Sequence, residues 1–264
     1  MDVDSDREFS HVMSELPSVT TSTAKLHANL PTSVNLVREA TVGFWPQALC
    51  HHQANTYVGS QDAIRGGDGV VYRIDEEGGK DKAFIQLDVN DVVCSIVVVN
   101  EEIYLLVCKN GGKTEIYVYD LLGVHGRQWT VGVCGNSAYP RMVASRNQIL
   151  VVDPNEKRIS RYTTTGEFID QIPCGFVSEI NGGLAGVGDG TVILSMQDSN
   201  AVIRFNLDTG HAMWTSNSID KPQGVVRYRD SYVMVINQSP MIRIWILDAN
   251  TGRYQCMSLT EYSV

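Results

Sequence analysis

The sequence predicts an all-β propeller built from four-stranded blades. Three observations carry that expectation: a glycine-ended turn that returns every 42 to 44 residues, four short β-rich runs within each period, and no window with the 3.6-residue apolar rhythm of an amphipathic helix. The turn recurs as VVYRIDEEGG, EIYVYDLLG, RISRYTTTG, VIRFNLDTG and IRIWILDANTG, ending at Gly79, Gly123, Gly166, Gly210 and Gly252. Asp, Asn or Thr ahead of Gly closes a hairpin whose left-handed position glycine adopts at little steric cost. Each glycine therefore marks the hairpin between the third and fourth strands of one blade.

The second strand of each blade, ahead of the strand that runs into the glycine turn, lies in NTYVGS, EIYLLVCK, QILVVD, TVILSMQD or SYVMVINQ, runs rich in β-branched and aromatic residues. Ahead of those lie PQALCHH, VVCSIVVV, PRMVAS, GGLAGVG and QGVVRY, short and small or apolar, as inner strands crowded around an axis must be. After the glycines come AFIQL, RQWTV, FIDQI, AMWTS and YQCMSL, which alternate and carry an aromatic, as outer strands do. Four strands per repeat of this length make a propeller blade. Such a blade buries its faces only against its neighbours, which is why the period matters more than any single strand.

Five blades are accounted for in this way. The passage VNLVREATVGFWP resembles RQWTVGVCGNSAYP in pattern and final Pro, so the chain is expected to enter through an outer strand around Val34 to Val42, letting the termini share a blade. Residues 34–264 are read as the propeller and residues 1–33 as an irregular amino-terminal segment that contributes to a closing blade. A six-bladed propeller with an irregular last blade is the leading expectation. The alternatives are a five-bladed one with a loose tail and a chain truncated at its carboxyl end.

Bulk properties narrow the function. With 264 residues, 43% of them hydrophobic and 23 of them glycine, the chain has material for a sizeable core and many turns. A net charge of -9 repels a phosphate backbone, and the lysines and arginines form no run, so RNA is disfavoured as a partner. The longest apolar runs, Val92 to Val99 and Ile103 to Cys108, are far short of the roughly 20 residues that cross a bilayer. The acidic start MDVDSDREFS is unlike a secretory signal, which points to the cytoplasm or to a piece of a longer protein. The sequon Asn237-Gln238-Ser239 would matter only on secretion. Six cysteines, at 50, 94, 108, 134, 174 and 256, include no CxxC pair, and Cys50, Cys94 and Cys108 read as free thiols acting as small core side chains.

One blade, YPRMVASRNQILVVDPNEKRISRYTTTGEFIDQI, resembles the NHL repeat through Pro140, Asp153, Asn155, Arg158, Ile159 and Gly166, with fainter copies at Pro46, Pro222 and Asp198 to Gly210. Residues 35 to 258 share the resemblance, and their length and acidity are similar to the carboxyl-terminal propellers of tripartite-motif (TRIM) ubiquitin ligases. That resemblance implies a propeller that recruits substrate, protein or RNA, while a RING domain elsewhere carries the ligase activity. This chain has no RING pattern, and most blades lack the Asp and Arg of the motif.

No catalytic, cofactor-binding or metal-binding set is assigned. His51 and His52 end an inner strand and are the most metal-like pair, yet the matching runs of the other blades offer neither His nor carboxylate, so an ordinary strand-end pair is expected. Asp153 and Asp198 are read as braces for the turn that follows them. Gly66-Gly67-Asp68-Gly69, Gly111-Gly112 and Gly182-Gly183 lack any phosphate-loop pattern and are read as β-turns. What remains is a non-enzymatic module that binds a protein through the loops of one face, such as Lys109 to Lys113, Gln197 to Asn200 and Ser218 to Lys221. The partner-binding candidates are Trp45, Tyr139, Phe176, Lys221 and Met241, large groups on such loops and of kinds enriched at interfaces apart from the lysine. The alternatives are single-stranded RNA binding and a metal-dependent hydrolase or lyase acting in the central channel.

Overall fold

The computed structural model describes residues 33–34, 46–60, 68–75, 77, 83–133, 140–153, 156–174, 182–228, 231–237 and 243–259. A two-residue strand, β1 (Ser33–Val34), comes first, and every later strand belongs to a four-stranded antiparallel meander in chain order. Blade 1 is β2 (Pro46–His52), β3 (Asn55–Ser60), β4 (Asp68–Asp75) and β5 (Ile85–Val89). Blade 2 is β6 (Val92–Val99), β7 (Glu102–Cys108), β8 (Lys113–Asp120) and β9 (His125–Val133). Blade 3 is β10 (Arg141–Ser145), β11 (Gln148–Asp153), β12 (Arg158–Thr163) and β13 (Phe168–Pro173). Blade 4 is β14 (Leu184–Gly186), β15 (Thr191–Met196), β16 (Ala201–Asn206) and β17 (His211–Ser216). Blade 5 is β18 (Pro222–Tyr228), β19 (Tyr232–Asn237), β20 (Ile244–Asp248) and β21 (Tyr254–Leu259).

The chain is thus an all-β propeller of four-stranded blades, and its described residues form five of them. This is the smaller of the two blade numbers expected. No sixth sheet stands among the described residues, and residues 1–32, which would have to build it, lie outside them. Of the expected entry strand around Val34 to Val42, residues 35–42 lie outside the described residues. Val34 stands in β1, which adds to blade 5 as a fifth strand, pairing in parallel with β21 through Ser33 to Ser258 and Val34 to Leu259. An early segment, residues 33–34, and a late one, residues 254–259, therefore share a blade.

The chain divides into two compact units, residues 40–171 and residues 1–39 with 172–264. In the first, β7 shows why a blade needs neighbours. Ile103, Leu105 and Val107 join Tyr57, Val71 and Ile85 of blade 1 in one core cluster. The alternate residues Tyr104, Leu106 and Cys108 join Met142, Ile149, Val151 and Tyr162 of blade 3 in another. Because successive strand residues point to opposite faces, a strand buried on both must read as an unbroken apolar run, as IYLLVC does. In the second unit a cluster of Ile193, Val202 and Trp214 with Val225, Val233 and Leu247 joins blade 4 to blade 5.

The periodic glycines do more than close hairpins. Gly166 has φ 94°, and a Cβ there would lie 2.8 Å from the ring of Trp129, on the outer strand of the preceding blade. Gly252 repeats the arrangement at φ 68°, with a Cβ position 2.9 Å from the Trp214 ring, and Gly123 sits 3.3 Å by the same measure from the ring of Phe84. Beside each tryptophan an arginine fixes the same hairpin. Arg127 pairs with Glu102 and donates to Thr164 O at 2.8 Å, a carbonyl that also accepts from Tyr104 Oη at 3.1 Å. Arg204, 3% exposed, pairs with Asp189 and donates to Ala249 O at 2.7 Å, a carbonyl that also accepts from Trp214 Nε1 at 3.0 Å. Burial alone would raise the Asp189 carboxyl, but its hydrogen bonds from Thr191 and the Arg204 charge outweigh burial and hold it below the usual value.

Gly79 lies outside the described residues. Gly166 and Gly111, the latter a glycine of the β7–β8 turn, allow a paired test in urea unfolding. Gly166→Ala is expected to lose about 2–4 kcal/mol, because it adds a clash with Trp129 to the strain of a positive φ. Gly111→Ala, with φ 106° and nothing within 4 Å of the new Cβ, is expected to lose only the strain, about 1 kcal/mol.

Candidate functional site

A cleft of about 250 Å³ runs between the outer strand of blade 1 and the outer half of blade 2. One wall is Gln86, Leu87 and Asp88 of β5. The other is Tyr117 and Tyr119 of β8 with His125 and Gln128 of β9. Strand alternation puts Tyr117 and Tyr119 on one face, and the β8–β9 register sets them opposite Gln128 and His125. The His125 ring lies 5.3 Å from Tyr119, edge-on, and 5.7 Å from Tyr117, so the three rings form a continuous panel.

Lys109 and Asp91 complete the lining. Lys109 begins the turn that leads into β8, held by a hydrogen bond from its N–H to Lys113 O at 2.7 Å, while Gly112 N–H donates back to Lys109 O at 3.0 Å. Its ammonium donates to Asp91 Oδ2 at 2.6 Å and to Asp88 Oδ2 at 2.9 Å, and sits 5.4 Å from the centre of the Tyr117 ring. Asp91 is 1% exposed and accepts a second hydrogen bond from Asn110 N–H at 3.2 Å, whereas the Asp88 side chain is 86% exposed. Burial works against the Lys109 charge, but the bonds to Asp91 and Asp88 outweigh it and hold the ammonium above its usual range. Burial also pushes the Tyr119 hydroxyl up to about 12, so it stays a neutral donor. Two carboxylates against one ammonium leave the cleft net negative, with the Asp88 carboxylate in solvent.

Of the partner-binding candidates, Trp45, Tyr139, Phe176 and Met241 lie outside the described residues. Lys221 is exposed on the turn before β18 at φ 45°, and its N–H donates to Asn200 Oδ1 at 2.8 Å. The loop from Lys109 to Lys113 was singled out in the sequence, but Asp88, Asp91, Tyr117, Tyr119, His125 and Gln128 were not. The alternation of Tyr117 and Tyr119 was the available sign of a shared face.

The remaining polar readings resolve locally. His51 Nδ1 is 3.0 Å from Thr56 Oγ1, and His52 Nε2 is 3.5 Å from Glu101 Oε1. Asp153, buried, accepts Glu156 N–H at 3.3 Å and braces its turn as expected. Among the described residues no three His, Cys, Asp or Glu side chains converge as metal ligands. Gly182 and Gly183 are close-approach positions, where a Cβ would meet Ser195 O at 2.2 Å and Val225 N at 2.3 Å. The sequon residue Asn237 is 5% exposed and accepts Arg243 N–H at 2.7 Å, so the folded blade has no room for a glycan there. Cys94 is a free buried thiol, as expected, but Cys108 is disulfide-bonded, which corrects its reading as free. An apolar strand pattern reports burial and is silent on which sulfurs meet.

No protein-family model matches the chain, and the curated proteins contain no match to it. Solved structures do match in fold. A structure of a nidogen/laminin complex aligns at TM-score 0.60 and 14% identity, covering 80% of this chain and 79% of that one. Virginiamycin B lyase from Staphylococcus aureus, solved with quinupristin, aligns at 0.58 and 13%, covering 82% and 71%. A streptogramin B lyase aligns at 0.53 and 13%, covering 82% and 84%. At these identities the likeness is one of fold.

The ion pair at the cleft yields a test of stability. Lys109→Met is expected to lose about 3 kcal/mol in urea unfolding, because it strands the buried Asp91 carboxylate. Adding Asp91→Asn is expected to recover part of that loss, which separates an unpaired charge from lost packing.

Proposed function

We propose that the chain is a non-enzymatic protein-binding module whose contact site is the cleft between blades 1 and 2. The observation that carries this reading is the cleft's make-up: one aromatic wall, amide side chains and an exposed carboxylate beside the ion pair of Lys109 with the buried Asp91. Its volume is below the 300–1,000 Å³ common for drug-sized ligands and suits one inserted side chain. The surplus negative charge selects Arg or Lys, and Arg is enriched at protein interfaces. A propeller similar in fold was solved in a protein complex, which supports the same kind of use here.

The NHL-like blade extends the proposal to recruitment of substrates for a ubiquitin-ligase-type protein, with Pro140, Asp153, Arg158, Ile159 and Gly166 as its basis. RNA binding is the weaker reading, since the net charge is -9 and the cleft adds to it. The two lyase names belong to proteins whose likeness to this chain is one of fold.

Affinity capture with quantitative mass spectrometry tests the proposal. Asp88→Lys is expected to reduce retention of the partners held by the natural chain about tenfold, the loss of roughly 1.4 kcal/mol that one interfacial anchor supplies. Asp208→Lys, an exposed change on the blade 4 hairpin, is expected to leave them bound. Equal retention by both variants would count against the cleft as the contact site.

A further inference from the structure

The cleft wall β5 runs between two unlike surfaces. Phe84 N–H donates to Val71 O at 2.9 Å, so the chain is already on the β4–β5 ladder at that residue. Asp88 follows four residues later, about 13 Å away at the rise of a strand. At the Asp88 end stand the exposed carboxylate and the Lys109 ion pair with Asp91, two negative charges against one positive. At the Phe84 end lies the tip of the β8–β9 hairpin, where a Cβ on Gly123 would sit 3.1 Å from Phe84 O and 3.3 Å from its ring. The Arg73 guanidinium already serves as the cation of that ring, 4.6 Å from its centre. One end is acidic and the other is apolar.

Gly123 is flanked by two exposed aliphatic side chains, Leu122 at 80% and Val124 at 61%. The internal repeat shows that the turn itself does not ask for them. The residue before the periodic glycine is Thr165, Thr209 and Thr251 in blades 3, 4 and 5. The residue after it is Lys80, Glu167, His211 and Arg253 in the other four blades. Blade 2 has an aliphatic residue on both sides of the glycine, beside the cleft, at positions that the fold fills elsewhere without one.

We infer that the partner presents an extended peptide segment with an Arg or Lys four residues from an aliphatic residue, the basic side chain entering at Asp88 and the aliphatic one resting on Leu122 and Val124. The inference rests on the cleft as the contact site. Residues four apart in an extended chain point to the same side and lie about 13 Å from each other, which is the span of β5 between the two ends. A spacing of three or five turns one of the two side chains away. Charge complementarity fixes the direction of the segment, because the surplus carboxylate is at Asp88 and the apolar shoulder is at the hairpin tip.

Selection from a random twelve-residue peptide library displayed on phage, run on the immobilised full chain, tests this. The enriched peptides are synthesised with a fluorescent label and titrated by anisotropy. They are expected to carry Arg or Lys four positions from Leu, Ile, Val or Met. Their affinity is expected to fall about tenfold on Asp88→Lys, and about tenfold on Leu122→Thr combined with Val124→Thr. The Asp88 side chain is 86% exposed and Leu122 80%, so these changes leave the core packing in place. Moving the basic residue one position along the peptide is expected to cost a similar factor. Peptides that weaken on Asp88→Lys but ignore both the hairpin change and the spacing would overturn the inference and leave the cleft as the contact site. Peptides that ignore Asp88→Lys as well would overturn both, and a selection that enriches nothing would overturn the inference.

Discussion

A carbonyl at the tip of a hairpin, Thr164 O in blade 3 or Ala249 O in blade 5, accepts hydrogen bonds from two side chains of the preceding blade. The glycine that follows lies against that blade's outer tryptophan, Trp129 or Trp214. In each case one donor is an arginine, Arg127 or Arg204, itself paired with a carboxylate. The contact couples polar satisfaction to apolar packing at one point. A tip placed a few ångströms away would leave a guanidinium without its acceptor and a tryptophan without its cover. The spacing of blade 3 against blade 2 and of blade 5 against blade 4 depends on this seating.

Two of the glycines that return every 42 to 44 residues mark that seating. At Gly166 and Gly252 a glycine is required for its left-handed backbone and again because a Cβ would enter a tryptophan ring, so the position is constrained twice. Local chemistry made the strands equally legible. The runs PQALCHH, NTYVGS, VVCSIVVV and QILVVD coincide with β2, β3, β6 and β11. Agreement is poorer where backbones touch. GGLAGVG reduces to a strand over Leu184–Gly186, because Gly183 N–H donates to the Ser195 hydroxyl at 2.6 Å, and the close approach of Gly182 and Gly183 to Ser195 and Val225 leaves no room for side chains there. Strand β4 starts at Asp68, ahead of its apolar run, with Gly69 against the Asp91 carbonyl.

The candidate site was much less legible. Asp88, Asp91, Lys109, Tyr117 and His125 come from four separate stretches of chain that meet because blade 2 seats on blade 1. In the sequence they are ordinary turn and strand residues. Lys109 Nζ between two carboxylates, one of them buried, is a property of the assembled pair of blades.

A double-mutant cycle on Gly166 and Trp129 tests the seating of hairpin on aromatic most directly. The strain of a positive φ is present with either residue at position 129, so the cycle cancels it and isolates the steric contact. Unfolding free energies of Gly166→Ala, Trp129→Ala and the double variant are predicted to be non-additive. The double variant should be more stable than the sum of the single losses implies, by about 1 kcal/mol or more. Additivity to within about 0.5 kcal/mol would contradict the account.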